Sequence, residues 1–288
     1  VFILASVLPA QTIGTGLSFL KLGVGARSIA MGEAFSAVTN DHSASFYNPA
    51  TLRSAERNEI MLMHKEWIAE TSTEYLGATI LGDDFHYGFS ALSASVNDIE
   101  VRTNPGPAIG TFNSQNFSLG FSAALSIDEN LAVGAGGKFL YEKIFVDEAS
   151  GYAIDLGALY RASDNLSIGA SVLNIGSMNK LRSESTKLPT TIRLGGSYGT
   201  PLNENFSLLG AADAVKTLGD DNTRIHLGAE VLYNELLAVR GGYQIGYEAK
   251  AFSTGFGVYY GIVKFDYAFV PFTGTFSSTH TFSLSFLL

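Results

Sequence analysis

Asp41-His42-Ser43 sets an acid, an imidazole and a hydroxyl side by side, the three residue types of a nucleophilic triad. A triad is an arrangement in space, and neighbours in sequence do not form one by adjacency. Gly134-Ala135-Gly136-Gly137-Lys138 gathers glycines and a lysine without the spacing of a phosphate-binding loop, and its setting is a strand. No nucleophile elbow is read in the chain. His42, His64, His86, His226 and His280 are scattered without the spacing of metal ligands. These residues predict no enzyme, no metal and no cofactor.

A second group of reactive side chains is more informative. Asp155, Arg161, Arg193, Asp213, Arg224, Glu230, Arg240, Lys264 and Asp266 sit in alternating segments, mostly in phase with the small and polar residues. Glu230 and Arg240 fall at matching heights on successive segments and are expected to pair. Either these charges form a network that holds an inner segment, or they line a path for something that passes or docks.

The elements that must position them follow from composition and period. The chain has 288 residues, 16% charged and 46% hydrophobic, with 31 glycines and no cysteine. A soluble domain carries roughly 25% charged residues, so a surface partly out of water is expected. The net charge of −9 offers no basic footprint for nucleic acid. Residues 1–10 are apolar and read as the tail of a secretory signal peptide, or else as the start of a strand or buried helix. Residues 11–57 read as a small N-terminal plug of short helix and loop, with Asn40 or Asp41 capping a helix that Pro49 closes.

From residue 58 to 288 the period is two. Phe117, Leu119, Phe121, Ala123 and Leu125 alternate with Ser118, Gly120, Ser122 and Ala124. Alternation places each set on its own face of a strand. Short turns at residues 82–84, 128–130, 163–165, 203–205, 233–235 and near 261 are separated by longer connections. The longer ones are residues 69–73, 97–115, 147–151, 176–189, 217–222, 247–251 and 271–279. Short periplasmic turns alternating with long external loops are the pattern of an outer-membrane barrel, in which the bulky set faces lipid. The count predicts an all-β, antiparallel transmembrane barrel of about fourteen strands. Its last strand, ending Phe286-Leu287-Leu288, must pair with the first, because hydrocarbon tolerates no open sheet edge. Trp67, Tyr75, Tyr141, Tyr152 and Tyr243 are expected near the outer rim, and Tyr87, Tyr160, Tyr198, Tyr233 and Tyr260 near the inner one.

The N-terminal residues also carry a resemblance. Residues 16–27 (GLSFLKLGVGAR), then Met31-Gly32-Glu33-Ala34-Phe35 and Asn48-Pro49-Ala50, resemble the opening of the PorV/PorQ family, a branch of the FadL-like outer-membrane barrels. The closing stretch from His280 to Phe286 resembles its final strand. The resemblance implies a fourteen-stranded barrel with an N-terminal hatch and the Asn48-Pro49-Ala50 turn inside the lumen. It implies one of two non-enzymatic roles: a component of type IX secretion or related surface export, or passive transport of hydrophobic small molecules. The partners implied are outer-membrane lipid and either secretion proteins with their cargo or a hydrophobic small molecule. The candidate plug and lumen residues are Arg27, Glu33, Phe35, Phe46, Tyr47, Asn48, Pro49, Arg193, Glu230, Arg240, Lys264 and Asp266. A transporter would use an apolar pocket near Phe35, Phe46 or Tyr47.

Overall fold

The computed structural model describes residues 16–66, 71–102, 106–182, 184–247, 250–272 and 278–288. Trp67, the leader-like residues 1–10 and the first part of the plug read from sequence lie outside them.

Fourteen antiparallel strands close into one barrel. They are β1 Glu59–Glu66, β2 Thr71–Ile80, β3 Phe85–Val101, β4 Gly110–Ser126, β5 Leu131–Ile144, β6 Asp147–Arg161 and β7 Leu166–Met178. They continue as β8 Thr191–Pro201, β9 Phe206–Thr217, β10 Arg224–Tyr233, β11 Leu237–Ile245, β12 Phe252–Tyr260, β13 Val263–Val270 and β14 Thr279–Leu287. Each pairs with its sequence neighbours, and β14 closes on β1 from Glu59↔Leu287 to Glu66↔His280. Closure gives every strand two partners, which the absence of water in hydrocarbon demands.

Alternation sets the two faces. On β1 the burial pattern is strictly alternate, with Met61, Met63 and Lys65 inward and Ile60, Leu62 and His64 outward. Leu194, Ile154, Leu156, Val239 and Phe256 are among many large apolar side chains pointing away from the barrel. In water such a surface would be an aggregation hazard; in a bilayer it is the solvated face. The inner turns are stabilised locally. At the β4–β5 turn Asp128 Oδ1 accepts from the backbone N–H groups of Asn130 and Leu131, both at 2.8 Å. Asn203 does the same for Asn205 and Phe206 at 2.9 and 3.0 Å.

Three expectations are corrected. Residues 97–115 are not one long loop: β3 and β4 run on to Val101 and from Gly110, with a register shift between Val96 and Ile99. Residues 147–151 begin β6, and only Phe145 and Val146 separate it from β5. Above the lipid both faces of a hairpin are wet, so alternation fades while the backbone ladder continues. Tyr75 belongs to no rim. It is buried, facing inward between outward Glu74 and Leu76. Glycine-serine spacing also hides one motif the sequence reading passed over. Gly195-Gly196-Ser197-Tyr198-Gly199 fits Gly-x-Ser-x-Gly but lies within continuous β8, and Ser197 Oγ donates to the Ala37 carbonyl at 2.8 Å.

Candidate functional site

The inner face of the barrel is occupied by residues 16–57. They fold into two short helices, α1 Ala26–Ala30 and α2 Ala44–Tyr47, and two 3-10 turns, Ser18–Lys21 and Pro49–Ser54. None is long enough to be stable alone, so the wall must hold them. Pro49 does more than the sequence reading assigned it: α2 ends before it, and it then opens the second 3-10 turn. Asn48 Oδ1 caps that turn by accepting from Ala50 N–H at 3.1 Å. Asp41 accepts from Ser43 N–H at 2.8 Å just ahead of α2.

The Asn48-Pro49 turn touches the wall because the wall has no side chains there. Inward Gly134, Gly157 and Gly169 on β5, β6 and β7 abut Pro49, Asn48 and the Ser36 carbonyl so closely that a Cβ at any of them would overlap. Asn48 Nδ2 donates to the Ser36 carbonyl at 2.8 Å and to the Ala158 carbonyl at 2.9 Å, tying the turn to β6. The glycine-rich run at residues 134–138 is thus a seat for backbone. Lys138, at its end, pairs with Asp155 at 2.6 Å and lies 5.3 Å from the ring of Phe46.

Charge makes the remaining ties. Arg27 on α1 forks onto Glu230 of β10, Nε to Oε2 at 2.9 Å and Nη2 to Oε1 at 2.7 Å. Glu230 also accepts from Arg240 Nε at 2.5 Å, the expected cross-strand pair, and Arg240 reaches Asp266 at 2.8 Å. Tyr259 hydroxyl accepts from Arg240 and donates to Asp266. Every charge in this buried chain has an opposite neighbour, which is the condition under which burial is tolerated. On the other side of the lumen, Asp213 of β9 accepts from the backbone N–H groups of Phe35 and Ser36 at 3.1 and 3.0 Å. Arg193 of β8 donates to Asp213 at 2.8 Å and to the Glu33 carbonyl at 2.5 Å. Lys250 pairs with Glu33 at 3.1 Å. Burial by itself would raise the Glu33 carboxyl, but Lys250 and the neighbouring histidine and lysine outweigh it and hold it at about 2.

Two spaces flank this layer. The outer is a cavity of about 270 Å³ lined by Leu20, Leu22, Phe46, Tyr47, Leu173 and Val215, with Glu33, Arg193, Arg224, His226 and Lys250 at its polar side. The inner is a wider vestibule of about 690 Å³, reached by Arg27, Asp41, Glu230, Tyr259 and Lys264. Between them stands a column of stacked groups. Arg27 lies 5.7 Å from the Phe35 ring, Phe35 meets Tyr47 edge-on at 5.9 Å, and Tyr47 lies 4.9 Å from Arg193.

The twelve predicted residues therefore divide by position. Arg27, Phe35, Tyr47 and Arg193 make the column; Glu230, Arg240 and Asp266 anchor its inner end. Lys264, 5.7 Å from the Tyr259 ring, lines the inner vestibule. Glu33 and Phe46 face the outer cavity, while Asn48 and Pro49 hold the turn against the wall. Sequence reading did not select Asp213 as a site residue, and it missed Lys250, Tyr247 and the apolar lining of Leu20, Leu173 and Val215. Asp213 was visible as an in-phase charge; the loop residues carry no periodic signal. His42, Asp41 and Ser43 do not form a triad, since both His42 ring nitrogens face Thr79 and Tyr75 hydroxyls, at 2.6 and 3.0 Å. Among the described residues no group of three or more His, Asp or Glu could hold a metal ion.

An apolar outer belt, complete strand closure and a lumen filled by the chain's own N-terminal segment define an integral outer-membrane β-barrel. Solved structures with this fold are the Ralstonia pickettii toluene transporter TbuX (15% identity, TM-score 0.64, 92% of this chain and 98% of that one) and the Pseudomonas putida toluene transporter TodX (14%, 0.66, 91% and 97%). A Pseudomonas aeruginosa FadL homologue is also similar (13%, 0.57, 91% and 97%). At such identities the likeness is one of fold. Residues 85–182 match a model described as a family of unknown function, DUF5723. No curated protein sequence matches the chain.

Proposed function

We propose that this barrel is a non-enzymatic, passive transporter of hydrophobic small molecules across the outer membrane, and that it favours those with an anionic head. The observation that carries the reading is the outer cavity. Its body is apolar and aromatic, the usual composition of a small-molecule pocket with a few convergent polar groups. Its polar side carries Arg193, Arg224 and Lys250, paired with Asp213, Asp220 and Glu33, and of those three carboxylates Glu33 alone lines the cavity. A hydrocarbon body would lie against Leu20, Phe46 and Leu173 while a carboxylate meets Arg193. The shared fold with toluene transporters and a FadL homologue supports the transport reading over the secretion reading.

Tryptophan-quenching or calorimetric titration of the detergent-purified protein with a hydrophobic acid and its neutral alcohol tests it. The acid is expected to bind more tightly, and Arg193→Gln to remove the difference. Failure of both compounds to bind would sink the transport reading.

A second reading, a component of type IX secretion or a related export route, follows from the PorV/PorQ resemblance. The observation favouring it is the height of β3–β6, whose tips expose Ile109, Phe145 and Val146 as a place for a protein to dock. Pull-down from native membranes, recovering secretion partners or cargo, would support it.

A further inference from the structure

On β1 and β2 the outward face turns polar sooner than it does on β10. On β10 the outward positions stay apolar from Tyr233 through Val231, Ala229 and Leu227 to Ile225. On β1 they turn polar after only Ile60 and Leu62, with His64 and then Glu66. The register extends the break sideways: His64 lies opposite Glu74 of β2, and Glu74 opposite Ser93 of β3. His64 Nδ1 and Glu74 Oε1 stand 2.6 Å apart, and Glu66 lies 3.9 Å from the other ring nitrogen. One row further out, Glu66 lies opposite His280 of β14 and Ser72 of β2. Lysines on β13, β14 and β1 to β4 are Lys65 and Lys264, which both point inward. The face therefore presents two exposed carboxylates without an outward lysine or arginine to answer them.

Directly beneath the carboxylates lies an open, almost wholly apolar groove of about 560 Å³. Leu62, Leu76, Phe117 and Phe282 form its sides, and Ala91 leaves its floor low. The groove opens on the membrane, so acyl chain is what meets it. A carboxylate pair above an acyl-lined groove repels a lipid whose headgroup is only phosphate and attracts one that carries an ammonium.

We propose that this face binds one membrane lipid with a primary-amine headgroup, the ammonium held by Glu66 and Glu74 and one chain lying in the groove over Ala91. The ammonium supplies a cation where the two carboxylates share only the His64 imidazole, and the chain fills the hollow that Ala91 leaves among leucine and phenylalanine.

Native mass spectrometry of the detergent-purified chain, offered dioleoyl phosphatidylethanolamine or dioleoyl phosphatidylglycerol at equal concentration, tests this. Phosphatidylethanolamine is expected to be retained about five-fold over phosphatidylglycerol, the ratio that about 1 kcal/mol of exposed ion pairing supplies. The double variant Glu66→Gln/Glu74→Gln should bring the ratio close to one, with the barrel still shown folded by its heat-modifiable mobility. Ala91→Leu should lower retention of both lipids. Equal retention by the unaltered protein, or a preference that survives the double substitution, overturns the proposal. A dimer mass with lipid excluded does so as well, since a second copy would then cover the face.

Discussion

Phe35 meets Tyr47 edge to face at 5.9 Å, with the two ring planes at 62°, and this contact is the midpoint between the outer cavity and the inner vestibule. Each end of the column is held by an arginine that the barrel wall neutralises, Arg27 by Glu230 and Arg193 by Asp213. A molecule moving between the two spaces must displace these rings or go around them.

Removing the midpoint should join the two spaces. Phe35→Ala deletes a fully buried ring, a change that costs about 3–5 kcal/mol in a packed core. The barrel ladder does not depend on it. In planar bilayers the variant is expected to show a several-fold larger ion conductance than the parent; unchanged conductance would place the barrier elsewhere.

The inner anchor should matter more to stability than to closure of the barrel. Glu230→Gln leaves Arg27 and Arg240 sharing a neutral partner. Breaking one side of a buried pair typically costs about 3–5 kcal/mol; Arg240 retains Asp266, so the lower end is expected. Urea unfolding from lipid vesicles, followed by the fluorescence of Trp67, the single tryptophan, measures it.

Two glycines on neighbouring strands should behave oppositely. At Gly157 a side chain would strike Asn48 and Pro49, whereas at Gly137 nothing lies within 4 Å. Gly157→Val is expected to loosen residues 48–50 and make the nearby Arg53 a site of trypsin cleavage in the folded protein. Gly137→Val, on the lipid face, should leave the digestion pattern unchanged.

The buried His42 should make one contribution to stability that is lost as the medium is acidified. Burial holds the His42 imidazole at about 4, against an ordinary value near 6.5, although Asp41 pulls the other way. Between those values the unfolded chain takes up a proton that the folded one refuses. The contribution of His42 to stability is therefore full above about pH 6.5 and is lost toward pH 4, by up to about 1.4 kcal/mol per pH unit. His42→Gln should change the slope in that window by no more than that amount, the variant losing less stability on acidification than the parent, as read from unfolding midpoints at pH 4, 5, 6 and 7.

The barrel wall is legible from order along the chain. A period of two needs no knowledge of distant contacts, since the pleat alone sends Phe117 and Ser118 to opposite faces. Turn residues such as Asp128 and Asn203 fold on their immediate neighbours. Hence the strand number, the closure of β14 on β1 and the Glu230–Arg240 register could all be read from order along the chain. One kind of element escaped that reading. Where β3 and β4 rise beyond the lipid, both faces meet water and the alternation that marks a strand disappears.

The interior was decided by the tertiary structure. Residues 16–57 contain only helices of four or five residues and turns, which have no stability apart from what they touch. Arg27 meets a residue 203 positions away, and Phe35 N–H one 178 positions away. Neither separation leaves a local trace in the sequence. The same holds for the outer cavity, whose lining comes from the first 3-10 turn, α2, β7, β8, β9, β10 and a loop, and which exists only because the closed wall brings those surfaces around one volume.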